Sequence, residues 1–415
     1  MARPISISLV PNNEKDDVRL ALKLICGSAL CGQHWKTGSA IKQLEDETKK
    51  YIGVKYAFSF NSGRSALMAI LKALELPKDS EVLLQALTCN AAANPIIWSN
   101  LKPTYVDCQL DSFNLDPKDL ALKISPNSKA VMVQHTFGLP ADINEIKAIS
   151  DANKLVLIED CAHALGAEYN GKKVGIFGKA AFFSFGRDKI ISSVWGGMAV
   201  TNDDELAKKI KKIQEEYKMP SRCWIFRQLL HPILINYIVM PLYNVLDLGK
   251  IFLVLSQWFG ILTKAVSKKE KKAKKPDYFP KRLPNVLAVL ALNQFNKLEK
   301  FNNRRQQLAE FYDKELFNTS FILPKRFSDR KNIYLRYTII HPKAHEIIYN
   351  SWHKENILLG DWYTAPVIPA DTDLRTVGYK LGSCKIAEKL SKSTLNLPTH
   401  INISQKDAEK IVNFL

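Results

Sequence analysis

The chain reads as an α/β protein: a mostly parallel sheet flanked by helices, followed by a small α+β unit. Three observations predict this. Short apolar runs (EVLLQ from Glu81, AVMVQH from Ala130, LVLIED from Leu155, AAFFSF from Ala180) end on polar residues, as strands buried on both faces do. Helix-like stretches separate them in the order of βαβ units. The length of 415 residues, 46% of them hydrophobic, suffices for one large core and a second smaller one.

Taken in order, residues 15–53 form a helical lead-in, and SAIKQLEDETKKYIG within it has the apolar spacing of an amphipathic packing helix. YAFSFNSGRSALMAILKALEL then runs from a strand through a Ser62-Gly63 turn into a helix. A small-residue turn at a helix N-terminus is an anion site, with free backbone N–H groups and the positive end of the helix dipole on one side. EVLLQALTCNAAANPIIWSNLKPTYVDCQLDSFNLD is strand, loop, helix and strand, and it carries Cys89. AVMVQHTFGLPADINEI is a strand ending at His135, which reads as a structural histidine.

The next stretch carries the chemistry. The strand Leu155–Ile158 delivers Glu159 and Asp160 at its carboxyl end, where open α/β sheets bind ligands. Lys189 stands just past the run Ala180–Phe185, before Ser192-Ser193 and Gly196-Gly197. A free lysine titrates near pH ~10.4 and is a poor nucleophile, so a covalent role needs desolvation or a carbonyl cofactor. Pyridoxal phosphate suits the pair, because its ring nitrogen needs a carboxylate partner and its carbonyl a lysine. These residues by themselves leave open that Asp160 caps a helix and Lys189 is a solvated surface charge.

EDCAHALGA followed by FSFGRDK and GGMAV resembles the core of the DegT/DnrJ/StrS sugar aminotransferases, pyridoxal phosphate enzymes of fold type I. The resemblance implies a role for each matching residue. Asp160 is the partner of the pyridine nitrogen and Lys189 the Schiff-base lysine. His163 stands beside the cofactor's phenolic oxygen, and Ser184, Gly63, Arg64 and Ser65 surround its phosphate. Cys89 falls where many members place an aromatic over the ring, and Arg64 where they carry a small threonine. Pro280 replaces an asparagine that reaches the neighbouring subunit's cofactor phosphate, and Arg282 matches the arginine that follows it. Some relatives bear histidine at the lysine position and dehydrate, so Lys189 argues for transamination. The resemblance further implies a homodimer with the site at the interface, glutamate as amino donor, and a nucleotide- or lipid-linked keto sugar as acceptor in polysaccharide or glycolipid biosynthesis. The departures at Arg64, Cys89 and Pro280 keep open a catalytically silent, membrane-associated scaffold of the same fold, or related chemistry on the same cofactor.

Outside that core the composition speaks for itself. Seven cysteines without a CxxC pair or metal spacing, and an N-terminus lacking a basic-then-apolar leader, fit reduced thiols in a cytoplasmic protein. The formal net charge of +18 calls for an anionic partner. From Trp224 to Thr263 only Arg227, Asp247 and Lys250 are fully charged, and a cluster from Lys264 to Arg282 follows with only Glu270 and Asp277 opposing it. Its apolar halves, Ile233–Leu246 and Ile251–Leu262, are each shorter than the ~20 residues of a spanning helix, and Pro232 and Pro241 interrupt the first. A pair of short apolar helices with a polybasic flank points to peripheral or monotopic attachment to an anionic cytoplasmic membrane surface through 224–275. The alternative is packing against a dimer partner. Nucleic acid is not an expected partner, because the basic run has no reading helix. The organisation expected is thus 1–217 large cofactor-binding domain, 218–281 insertion, and 282–415 connecting helix and small C-terminal domain.

Overall fold

The computed structural model describes residues 3–9, 11–31 and 35–415; Met1, Ala2, Val10, residues 32–34 and the side chains of residues 28–31 lie outside the description. A seven-stranded sheet runs from Tyr56–Phe60 through Gly197–Thr201, Ala180–Ser184, Val156–Asp160, Ser128–Gln134 and Glu81–Gln85 to Lys102–Val106. Only Gly197–Thr201 is antiparallel to its neighbours. The other six strands run the same way, so six strands present their carboxyl ends to one edge.

Burial on both faces explains why these strands read as continuous apolar runs. One face holds Leu67, Ile70, Val82 and Ile158 in a core closed by the helices Gly63–Ala73 and Asp204–Glu216. The opposite face packs Leu44, Phe183, Val200 and Leu287 beneath the helices Ser39–Ile52 and Asn285–Phe295. The expected amphipathic helix is present: Ala40, Leu44, Thr48 and Ile52 are buried at the four-residue spacing, and Gly53, at φ 83°, ends it in the left-handed conformation. A separate core, including Leu308, Tyr312, Tyr337, Leu395 and Ile411, joins the helix Leu298–Leu316 to the antiparallel pair Tyr337–Ile340 and Thr394–Leu397.

The apolar segment differs from expectation. It contains one helical run, Arg222–Leu242, of 21 residues, and a second helix, Leu248–Trp258, of 11. Pro232 does not break the first. The helix continues past it, the turn Ile235–Val239 takes π geometry just before Pro241, and the Asn236 amide donates to the Pro232 carbonyl at 2.8 Å. Length and composition alone would let this run cross a membrane. Its packing says otherwise: Trp224, Ile225 and Leu229 are buried in the main core, and Gln228 and His231 are buried polar groups beside them.

Candidate active site

Asp160, Ser184 and Gln134 end three adjacent parallel strands, so the sheet itself brings them to one rim. A cavity of about 310 Å³ opens there, and Gly63, Arg64, Cys89, Asp160, His163, Ser184 and Lys189 all line it. Ser65 does not. It is fully buried, its N–H donates to the Ser62 capping oxygen at 3.1 Å and its hydroxyl donates to Asn61 Oδ1 at 2.7 Å. Its place is inside the cap that starts the helix, and the anion-facing groups are those around Ser62 and Gly63. Gly197 makes this approach possible: a Cβ there would lie 2.4 Å from the Gly63 nitrogen.

The two carboxylates predicted at the strand end part company. Glu159 is fully buried and accepts from the backbone N–H groups of Gly175, Phe177 and Gly178 at 2.7–2.8 Å. His135 accepts the Ala141 N–H on Nδ1, so its Nε2–H donates to Glu159 at 3.1 Å, and the expected structural role of this histidine follows. Asp160 faces the cavity. Its single hydrogen bond among the described residues is from the Ala162 N–H at 2.9 Å, and burial raises its carboxyl to about 6 against the pull of that bond and of Lys189. A carboxylate so placed would be stabilised in its charged form by a cation in the cavity.

Lys189 is pushed below the ordinary lysine range, chiefly by burial. Its Nζ lies 4.7 Å from the centre of the Trp362 ring. The loop that carries it is held from a distance: the Asn12 amide donates to the carbonyls of Lys189 and Ile190, and Arg305 donates to Asn12 Oδ1 at 2.7 Å. Trp362 also stacks on His163, with ring centres 5.1 Å apart and 18° between planes. Burial first, then Lys189 and Arg336, hold His163 well below its usual value, so it is neutral near pH 7. Its Nδ1 accepts from the Phe137 N–H at 3.4 Å, which leaves the proton on Nε2. Cys89 caps a helix through the Ala91 N–H at 3.4 Å, and burial raises its thiol, so it is a packing residue at the rim.

Several cavity residues were not foreseen. Trp362 and Tyr363 come from a distant loop, and Trp195 stands between two guanidinium groups, Arg64 at 5.2 Å and Arg187 at 5.9 Å. Arg187 donates only to Thr263, through its backbone oxygen and its hydroxyl, and its Nε is buried without a partner. Burial lowers this guanidinium to about 10. Arg64 donates to Glu270 at 2.5 Å and to the Ala265 carbonyl at 2.8 Å. Glu270, fully buried, also accepts the Ser267 N–H at 2.9 Å. Lys264, Ala265, Val266 and Lys271 thereby become part of the cavity wall. Arg64, expected at a phosphate by resemblance, therefore also clamps this loop. No direct signal marked these contacts, since each joins residues about 76–206 positions apart.

A buried carboxylate, a lysine of depressed basicity and a neutral histidine, set around an anion-facing helix start, fit pyridoxal phosphate. Fold and site together define a pyridoxal phosphate-dependent aminotransferase of fold type I. The chain belongs to the DegT/DnrJ/EryC1/StrS aminotransferase family, whose model matches residues 23–221 and 258–415. The unmatched interval holds most of both apolar helices, and the Lys-rich loop after them lies within the matched stretch. Two relatives show the range of similarity. GDP-perosamine synthase of Caulobacter vibrioides is 27% identical over 382 residues, covering 90% of this chain and 89% of that one. The pleiotropic regulatory protein of Geobacillus stearothermophilus is 28% identical over 379 residues, covering 90% and 88%. Among solved structures, DesV of S. venezuelae superposes with a TM-score of 0.76 at 22% identity, covering 100% of this chain and 98% of that one. PseC of Helicobacter pylori gives 0.75 at 22%, covering 99% and 98%. Both share the fold.

Proposed function

We propose that the protein transfers an amino group from glutamate to a keto sugar carried on a nucleotide or a lipid, in polysaccharide or glycolipid assembly. The observation that carries this reading is the convergence of Lys189, Asp160 and His163 on one cavity: burial favours the neutral forms of Lys189 and His163 and makes the Asp160 carboxylate one whose charge a ring cation would stabilise. In this reading Lys189 attaches the cofactor covalently, and Asp160 holds a proton on the ring nitrogen. His163 donates from Nε2 to the phenolic oxygen, while Ser184, Ser62 and the N–H groups at Gly63 receive the phosphate. The bound cofactor supplies the electron sink that lets a proton leave the donor's α-carbon. Lys189 Nζ would take that proton and return it two atoms along, at the carbon that carried the cofactor's aldehyde. Burial favours its neutral form and so prepares it as a base.

Relatives named for the amination of a GDP sugar and of an inosose support the acceptor class. A homodimer and contact of 224–275 with an anionic membrane surface belong to the same reading, the first by family resemblance and the second from composition.

The test is the visible absorbance of the purified protein with pyridoxal phosphate. A cofactor band that bleaches with glutamate, and that is lost in Lys189→Ala with the far-ultraviolet spectrum unchanged, is the expected result. A band indifferent to amino donors would overturn the transaminase reading.

A further inference from the structure

The helix Leu248–Trp258 is apolar on both sides. Its inner side is Gly249 and Ser256, both buried, with Phe252 and Leu253 half-buried against Ile235, Val239, Tyr243 and Leu262, whereas Leu248, Ile251, Val254, Leu255 and Trp258 are exposed. The exposed set recurs at three- and four-residue steps, so it forms one stripe. Val254 is 65% exposed and Trp258 78%, and Phe259, just past the helix, is 66% exposed. The arrangement is fixed by close packing on the small side: a Cβ on Gly249 would lie 2.3 Å from the Val239 carbonyl oxygen. Rotating the helix to bury its stripe would bring large side chains into that contact. A helix that shows an apolar face to the outside needs an apolar medium there.

Charge says which medium. Six residues after Trp258 the chain enters the loop of Lys264, Lys268, Lys272, Lys274 and Lys275, all exposed and none with an ion-pair partner among the described residues. An apolar stripe beside unpaired lysines complements the boundary between acyl chains and anionic headgroups. The same loop is a wall of the active-site cavity, fastened by Arg187 at Thr263 and by Arg64 at Ala265 and Glu270. One short segment therefore faces a surface on one side and the reacting centre on the other.

We propose that this stripe seats in an anionic lipid surface and that the acceptor is a keto sugar borne on a lipid phosphate, received at the cavity mouth by Lys264. This rests on the aminotransferase reading and narrows its acceptor from nucleotide-linked or lipid-linked sugars to the second.

The experiment is flotation of the full-length holoenzyme with three vesicles: phosphatidylcholine alone, the same with phosphatidylglycerol, and the same with a few mole per cent of a long-chain polyprenyl phosphate. Wild type is expected to float with both anionic vesicles. Trp258→Glu with Phe259→Glu should float at least about tenfold less, while its cofactor band still bleaches with glutamate. Lys264→Ala should bind the polyprenyl phosphate vesicles about fivefold more weakly, whereas Lys268→Ala, an equal loss of charge away from the cavity wall, should not. Wild type left unfloated by every vesicle overturns the proposal, as does a glutamic acid pair that floats normally. A halving of the native mass in that pair variant would assign the stripe to a second copy of the chain and overturn it too. Equal effects of Lys264→Ala and Lys268→Ala would remove the phosphate from the cavity mouth. A band that glutamate does not bleach in wild type would instead remove the aminotransferase reading, independently of flotation.

Discussion

Asp160 is the residue at which the structure makes a quantitative demand. Burial raises its carboxyl from an ordinary 3.8 to about 6, although the Ala162 N–H and Lys189 both favour the charge. A difference of roughly two decades, at ~1.36 kcal/mol each, makes the ionised form about 3 kcal/mol costlier in the folded protein than in the unfolded chain. The sign follows from proton counting. Between pH 4 and 6 the folded cofactor-free protein keeps a proton that the unfolded chain has released, so this contribution to stability is lost as pH rises through that window. Asp160→Asn removes the ionisable group and keeps the shape. Without cofactor, the variant should melt a few degrees above wild type at pH 7.5 and about level with it at pH 4.5, in thermal unfolding monitored by circular dichroism. With cofactor the order should reverse, because the ring cation that would neutralise Asp160 has no charge to meet in the amide. A cofactor-free variant that melts with wild type at both pH values would refute the reasoning, since the carboxylate would then be solvated in the free protein.

Other perturbations probe the surroundings. Arg64→Ala leaves Glu270 buried without its cation and should cost about 3–5 kcal/mol; trypsin should then cut the Lys264–Lys275 loop much faster, and Arg64→Ala with Glu270→Gln should recover part of the loss. Gly197→Ala places a methyl group 2.4 Å from the Gly63 nitrogen and should weaken cofactor phosphate binding most, seen as a rise in the pyridoxal phosphate dissociation constant. His163, held neutral, should give nitrogen NMR shifts of the Nε2–H tautomer with no titration between pH 5.5 and 8. The unfolded chain binds the proton that folded His163 refuses, so its contribution to stability is complete above about pH 6.5 and is lost as pH falls.

The strands and the meeting of Asp160 and Lys189 at one cavity were legible because each rests on local chemistry. Apolar runs announce strands buried on both faces, and a carboxylate at a strand's carboxyl end with a lysine past the next strand needs no distant partner to be noticed. His163, Gly63 and Ser184 followed by resemblance and do line the cavity. Ser65 looked equivalent to Gly63 in sequence, yet the first turn of a helix points neighbouring residues in different directions, and its hydroxyl closes on Asn61. The helix Arg222–Leu242 was masked by Pro232 and Pro241, which end a helix only where its packing does not hold the chain through them. Trp362, Arg187 and Glu270 were invisible because their meaning is a contact across the fold. Glu270 in particular reads in sequence as one acid among lysines, and only burial against Arg64 turns it into an anchor.

Asn12 has a practical consequence. Its amide grips the two carbonyls at Lys189 and Ile190, and Arg305 and Gln294 fix it in turn. The leading segment of the chain thus acts as a splint on the loop that bears the reacting amine, some 177 residues downstream. Trimming the chain past residue 12 to improve expression would slacken that loop while leaving the sheet whole, and would yield a well-folded preparation with poor cofactor retention.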